Sequence, residues 1–362
     1  MFQVGITMSS FYRTFNFPFK HAIPNSIDSY LKSKSVFKRY LKYFRRVFFI
    51  VVKNQQNLEV FKISPRHKRI LWINISAPSL GDSLMDLSSR VLLQDKSIDL
   101  YTDSKNANLY LDDDFFSNIF TSAKDVDKNK YDLVIIDSYS SRSMRVKAEV
   151  APSLNYVGMY GFFNGPEVNR TLFSFHQMNN LLGNIKEEDE ILNLAKNHIS
   201  ISIKDQKLVK KLIPDNYIAI VIGGEWRYKI YDEWLELIKK IIQLNQDLNI
   251  VLIGSINATK ASNDLICNLP QCNFYDLVAK LTFNQTAEVI RSSDILLCCD
   301  GGLMHAANAL NTTVVALFAK LNPEILLTES CISYNLYDDH DVNNLSADDV
   351  YKKYIEALNN LA

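Results

Sequence analysis

The feature that most restricts this chain is a set of short runs that are apolar at nearly every position, all but the first closing on Gly or Asp. They are ILWINI at 70–75, LVII at 133–136 before Asp137, and YIAIVI at 217–222 before Gly223 and Gly224. Two more follow, at 250–253 before Gly254 and ILLCC at 295–299 before Asp300. A strand apolar on both faces is buried on both faces, which is the condition of a parallel sheet covered by helices. Shorter strands are expected at 98–101, 156–159 and 313–318, with helices at 84–93, 171–198, 231–244, 287–292 and 305–310. The pattern starts twice, near 70 and near 217, with a polar stretch at about 185–210 between. The expected fold is α/β: two Rossmann-like domains facing across a cleft, preceded by a basic helical extension. The boundaries implied are 1–66 for the extension, 67–205 and 206–346 for the two domains, and 347–362 for a closing helix. Ligands of such sheets bind at the carboxyl ends of the strands, so chemistry is expected just after 75, 137, 222, 254 and 299.

The 40 basic and 40 acidic side chains cancel, yet residues 1–65 carry eleven Lys and Arg against only Asp28 and Glu59. Within them Phe37, Tyr40, Leu41, Phe44, Val47, Phe48 and Val51 recur at three- and four-residue steps, with Lys38, Lys42, Arg45 and Arg46 opposite. That is an amphipathic helix with a cationic side. It suits an anionic membrane surface, reached through residues 31–53, as well as it suits a helix packed on the body with its charges in water. The rest of the chain is acidic, so a nucleic-acid partner is not expected. No run nears the roughly 18 apolar residues of a membrane span, and no secretory leader is read at the start. Five Cys without CxxC spacing, two of them adjacent in the 295–299 strand, read as reduced thiols and a cytoplasmic address.

Leu80-Gly81-Asp82-Ser83-Leu84 follows the first strand and admits two readings. As an esterase turn, Ser83 would be a nucleophile requiring a His base and a carboxylate to orient it. No His here has Asp three residues before it, so the D-x-x-H partner of that arrangement is missing. As a glycine turn, Ser79 to Asp82 presents a carboxylate at the end of the strand, or simply caps the following helix. In the second half, Asp300-Gly301-Gly302-Leu303-Met304-His305 leaves a strand and opens a helix, where backbone N–H groups favour a phosphate. Lys229, after Gly223 and Gly224, can add a positive charge at the same diphosphate, and Asp276 can accept ribose hydroxyls.

These pieces, in this order, resemble glycosyltransferase family 9, the heptosyltransferases of the lipopolysaccharide inner core. Residues 70–87 are similar to the opening strand and G-D turn of that family, and 131–145 (YDLVIIDSYSSRSMR) to its second motif. Residues 155–158 look like its short strand before the linker, 223–234 (GGEWRYKIYDEW) like its donor-phosphate loop, and 300–323 like its C-terminal signature. The resemblance implies a GT-B fold and an inverting, metal-independent transfer of heptose or a related sugar, usually from ADP-heptose. The acceptor would be the lipid A-core, the enzyme peripheral on the inner face of the bacterial inner membrane, and no cofactor needed. Asp82 matches the catalytic base. Gly223, Gly224, Lys229, Asp276, Asp300, Gly301, Gly302, Leu303 and His305 match donor-binding positions, and Ser79, Gly81 and Arg142 acceptor-binding ones. Gly301 replaces the usual Ser or Thr, and Lys229-Ile230-Tyr231-Asp232 lacks the usual Arg and Pro. These departures leave open a sugar-nucleotide-binding scaffold without catalysis. The closing helix would, by the same resemblance, cross back to the first domain.

Overall fold

The computed structural model describes residues 36–163 and 168–361. The chain divides into two compact units, residues 1–195 and 196–362. Of the expected extension, Arg13, Lys20, Lys32 and Lys34 lie outside the described residues, as does the 31–35 part of the membrane-facing stretch.

In the first unit, helix α1 (Val36–Val52) precedes β1 (Arg69–Asn74), α2 (Leu80–Asp86), β2 (Ser97–Thr102) and the short α3 (Ser104–Ala107). Then come β3 (Asn118–Phe120), β4 (Leu133–Ser138), α4 (Ser141–Val150), β5 (Tyr156–Gly161), α5 (Arg170–Leu181) and α6 (Glu188–Leu194). The five strands are parallel in the order β3-β2-β1-β4-β5. The apolar runs at 70–75 and 133–136 are this sheet's centre, with Ile70, Leu71, Trp72, Ile73 and Leu133 to Ile136 fully buried. The helix expected over 171–198 is two helices, because Gly183 and Asn184 both take positive φ between them.

The second unit runs α7 (Ile203–Val209), β6 (Tyr217–Val221), α8 (Trp234–Leu244), β7 (Asn249–Ile253), α9 (Thr259–Asn268), β8 (Asn273–Asp276) and α10 (Phe283–Arg291). It continues with β9 (Ile295–Cys299), α11 (Gly302–Leu310), β10 (Val314–Ala319), α12 (Pro323–Leu326), β11 (Ser333–Asp338) and α13 (Ala347–Asn359). Its parallel sheet is ordered β11-β10-β9-β6-β7-β8. Both orders are the doubly wound arrangement, with the chain reversing direction across β1/β4 in one sheet and β6/β9 in the other. Those switch points are where crevices open at the strand ends.

Three expected boundaries move. The first unit takes in the described part of the extension: Tyr43, Ile50 and Ile63 are buried, and Glu59 forms a parallel bridge with Tyr156 of β5. The second unit begins before the expected break at 205/206, because Ile199 and Ile201 already pack into its core. The closing helix α13 uses its apolar face there too. Val350, Tyr354 and Ala357 join the cluster of Trp234, Leu237 and Ile241 of α8, and Lys240 pairs with Asp348 at 2.8 Å. The buried face of this helix is thus spent within its own unit.

Helix α1 docks by an unexpected face. Arg46 is not part of the solvent-facing cationic side; its guanidinium is buried and donates to the carbonyls of Phe162 at 2.5 Å, Phe163 at 3.1 Å and Gly161 at 3.3 Å. Three carbonyl dipoles offset much of the desolvation of that charge, although burial still lowers its pKa to about 10. Phe37, Leu41, Phe44, Phe48, Val51 and Val52 remain exposed, alongside exposed Lys38, Lys42 and Arg45. Among the described residues no helix is long and apolar enough to cross a membrane.

Candidate functional site

In the first unit the turn after β1 is fastened by Asp137, a buried residue of β4. Its carboxylate accepts from the backbone N–H groups of Ile75 at 2.9 Å and Ser76 at 2.7 Å, so the ends of the two central strands are held in register. From that anchored end the chain turns into α2. Ser79 is the N-cap and Asp82 the third helical residue of a capping box: the Asp82 N–H donates to Ser79 Oγ at 3.2 Å, and Ser79 N–H donates to Asp82 Oδ2 at 3.1 Å. The Ser79 hydroxyl donates to the same oxygen at 2.6 Å. Asp82 is thus an N3 carboxylate and not the N-cap itself, and it keeps a 21 % exposed side chain. Gly81 lies buried within this first turn.

Ser83, one residue on, points the other way. It is fully buried and its hydroxyl lies 2.8 Å from Tyr110 OH. A nucleophile needs access to its substrate, so the esterase reading of this turn is ruled out by burial.

Residues without a sequence signal complete this end of the sheet. Asp86, one turn beyond Asp82 on α2, is 4 % exposed and held by a fork: Arg170 Nε donates to Oδ1 at 2.9 Å and NH2 to Oδ2 at 2.6 Å. Tyr160 OH also donates to Oδ1, at 2.8 Å. The same guanidinium lies 3.5 Å from Asp82 and 5.2 Å from the Tyr160 ring centroid. Burial pushes the Asp86 carboxyl above its ordinary value, with Arg170 opposing the shift, while the two acids and Tyr160 raise Arg170 well above its own. Arg142 sits in the first turn of α4 with its side chain 63 % exposed, 4.0 Å from Asp103.

In the second unit the expected donor residues other than Asp276 follow β6 and β9, the two strands of the switch point. Gly223 has φ +86°, and a Cβ there would come within 2.9 Å of Ala258 Cβ, so both conformation and space demand glycine. The Gly224 carbonyl accepts from Asn257 Nδ2 at 2.6 Å. Lys229, in the one-turn 3₁₀ segment that follows, forms an ion pair with Asp300, the residue leaving β9. Gly301 is the N-cap of α11 in an extended conformation with no side-chain cap. A Cβ at Gly301 would meet only the Cys299 carbonyl, at 3.9 Å. Glycine is therefore not forced at 301; no side chain caps the amides of Gly302 and Leu303, where an anion is favoured. His305 is buried within the first turn of that helix.

Asp276, at the end of β8, accepts from Ser262 Oγ at 3.0 Å, Val278 N–H at 3.1 Å and Lys280 Nζ at 3.2 Å, and remains partly exposed. In the expected donor loop, Arg227 pairs with Asp232 and donates to the Ile230 carbonyl at 2.9 Å. Cys298 and Cys299 are buried free thiols within β9, and burial pushes Cys299 up to about 12. Among the described residues no three His, Cys, Asp or Glu side chains group as a metal-binding set.

Comparison with known proteins agrees with this architecture. The model for glycosyltransferase family 9 (heptosyltransferase) matches residues 162–347. The glycosyl transferase family 9 protein from Veillonella parvula DSM 2008 superposes with a TM-score of 0.66 at 14% identity, covering 83% of this chain and 99% of that one. The E. coli ADP-heptose lps heptosyltransferase II gives 0.64 at 18% identity, covering 81% and 99%. E. coli heptosyltransferase WaaC with ADP gives 0.61 at 15% identity, covering 80% and 99%. No curated protein sequence matches this chain. At these identities the structural likeness establishes the fold: two parallel-sheet α/β domains like those of the GT-B heptosyltransferases.

Proposed function

The chain belongs to glycosyltransferase family 9 and is a glycosyltransferase; from that premise we propose that it moves heptose, or a closely related sugar, from ADP-heptose to a lipopolysaccharide inner-core acceptor. The observation that carries the donor half is the uncapped glycine turn at the β6/β9 switch point, with Lys229 paired to Asp300 beside it. Solved relatives bearing ADP and an ADP-heptose analogue support the choice of nucleotide. Asp276 is the acceptor for ribose hydroxyls in this reading.

The reaction proposed is a single inverting displacement. The acceptor hydroxyl oxygen attacks the anomeric carbon, its proton passes to the Asp82 carboxylate, and the bond to the diphosphate oxygen breaks with its electron pair leaving on the nucleoside diphosphate. Asp82 suits the base because its own helical turn and Arg170 fix its position while part of it stays open to solvent. The departing diphosphate gains charge, and Lys229 with the amides of Gly302 and Leu303 are the groups available to stabilise it. Arg142, with Ser79 and Gly81, is assigned to the anionic acceptor. The outer face of α1 supports attachment to an anionic membrane surface: a stripe of Phe37, Leu41, Phe44 and Phe48 flanked by Lys38, Lys42 and Arg45 is what such a surface takes up. That would place the enzyme peripherally on the cytoplasmic face of the inner membrane.

The test incubates ADP-heptose and a deacylated Kdo-containing core acceptor with wild type and Asp82→Asn, and follows one added heptose by mass spectrometry. A general base is worth about 10²–10⁴ in rate, so the variant is expected to fall by that factor while keeping its fold. Undiminished transfer by Asp82→Asn would refute the base assignment; ADP-heptose binding by wild type without turnover would leave a binding scaffold. For α1, Leu41→Glu with Phe44→Glu and Phe48→Glu is expected to abolish co-sedimentation with phosphatidylglycerol-containing vesicles. Retention by the triple variant would remove the membrane assignment.

A further inference from the structure

At the carboxyl edge of the second sheet, three of the cations near the strand ends already have carboxylate partners. Lys229 is paired with Asp300, Arg227 with Asp232 and Lys280 with Asp276. Each of those pairs is electrically balanced, so none gives the edge the net positive charge that a diphosphate requires. Lys320 is different. It is the first residue beyond β10, and among the described residues its ammonium has no carboxylate within ion-pair distance. It rests 3.7 Å from the centroid of the Tyr228 ring, the same ring that lies 5.7 Å from the Lys229 ammonium.

The backbone of Lys320 is also singular. Six described residues other than glycine have positive φ. Four are asparagines, which tolerate that conformation; the other two are Ala279, at +59°, and Lys320, at +68°. Both stand just past strands of this one sheet, β8 and β10, on its ligand-binding edge. Lys320 is held in this conformation by its own N–H donating to the Asp338 carbonyl of β11 at 3.1 Å, with Leu321 N–H donating to the Ala319 carbonyl at 2.8 Å. A lysine kept in a backbone conformation that glycine would adopt without strain is a cost that folding alone does not explain. From that backbone the Lys320 ammonium lies over the Tyr228 ring, which the Lys229 ammonium also approaches.

We propose that Lys320 is a second diphosphate-binding cation of the donor site, parked on the Tyr228 ring and supplying the net positive charge that the Lys229–Asp300 pair does not. The assignment rests on the nucleotide-sugar reading above and adds to it the group that distinguishes a nucleoside diphosphate from a monophosphate. A cation held by a ring face surrenders little when a phosphate oxygen arrives, whereas Lys229 must share its charge with Asp300.

The experiment measures binding of ADP, UDP and GDP, and of the matching monophosphates, to wild type, Lys320→Gly, Lys320→Ala and Lys229→Ala by titration calorimetry, with thermal unfolding alongside. Loss of one charge-assisted phosphate contact is expected to weaken the preferred diphosphate about tenfold in both Lys320 variants and the monophosphate less than about twofold. Lys320→Gly is expected to unfold at a higher temperature than Lys320→Ala, since only glycine relieves the backbone. The two variants thus share a binding loss while differing in stability, a combination a purely structural lysine would not produce. Diphosphate affinity within twofold of wild type in Lys320→Gly, with Lys229→Ala impaired, overturns the role of Lys320 and leaves the donor site standing. Failure of wild type to bind any of the nucleotides overturns both.

Discussion

Replacing Arg170 by Met takes the only guanidinium away from a carboxylate that has almost no access to water. Asp86 is 4 % exposed and would retain the Tyr160 hydroxyl at 2.8 Å as its one close donor, Asn74 standing off at 3.5 Å. Removing one partner of a buried ion pair costs about 3–5 kcal/mol. Arg170 itself is 21 % exposed, which admits some water to the vacated space and favours the lower end, near about 3 kcal/mol. Met retains the aliphatic packing, so the loss isolates the charge. The carboxyl can escape only by taking a proton, and burial already raises its pKa. Losing Arg170 removes the group that opposes the upward shift, so the carboxyl of the variant lies above that of wild type, and the deficit is expected to widen as pH rises through the interval between the two. Asp86→Asn in the Arg170→Met background removes the stranded charge and is expected to recover at least about 2 kcal/mol, a coupling of the size contacting residues show. Hydrogen exchange of the β1 amides reads the opening free energy of this unit by itself. A deficit under about 1 kcal/mol, or a double variant no more stable than Arg170→Met, would refute the claim that Asp86 and Arg170 act as a buried pair.

Lys147 is fully buried with its ammonium donating to Gln55 and to the Leu154 carbonyl, and burial lowers it to about 7. Because the unfolded lysine holds its proton up to about 10.4, stability referenced to Lys147→Met is expected to rise as pH increases from about 7 to 10. A flat difference across that range in urea titrations would show that Lys147 keeps its proton when folded. Gly223→Ala forces a left-handed alanine against Ala258 and is expected to cost about 1–3 kcal/mol. That corresponds to a fall of several degrees in the melting of the second unit. An unchanged melting temperature would mean the turn can rebuild itself.

The centre of each sheet could be read from the sequence because two-sided burial writes itself as an uninterrupted apolar run. Two of the edge strands could not. β3 and β11 are half exposed, their residues alternate or mix, and nothing in NIF or SYNLYD separates them from loop. Helix α1 showed its period but not its docking face, since the decisive event is three carbonyls of a distant loop accepting from Arg46, and acceptors on a backbone leave no mark in composition. The glycine turns were visible at the candidate site as paired glycines after an apolar run, and at Gly223 the position demands glycine. Arg170 was not, because its partners Asp82 and Asp86 lie over eighty positions away and the fork exists only once α2 and α5 have packed. Lys320 stood in plain view within 300–323, yet its importance lies in a dihedral angle and in which neighbours are already neutralised.

Arg46 does more than hold a helix. With Tyr43 and Ile50 it fastens α1 to β5 and to the loop that follows, so the stripe of phenylalanines is mounted on the first sheet as a rigid fitting rather than trailing on a leash. An enzyme on a leash samples many heights and tilts above a bilayer; one mounted rigidly has a single stand-off. If lipid covers that stripe, the carboxyl edge of the first sheet, where Ser79 and Asp82 sit, stays at one altitude above the headgroups. The mount would then act as a gauge, admitting acceptor hydroxyls that project to that altitude and passing over those nearer to or farther from the lipid.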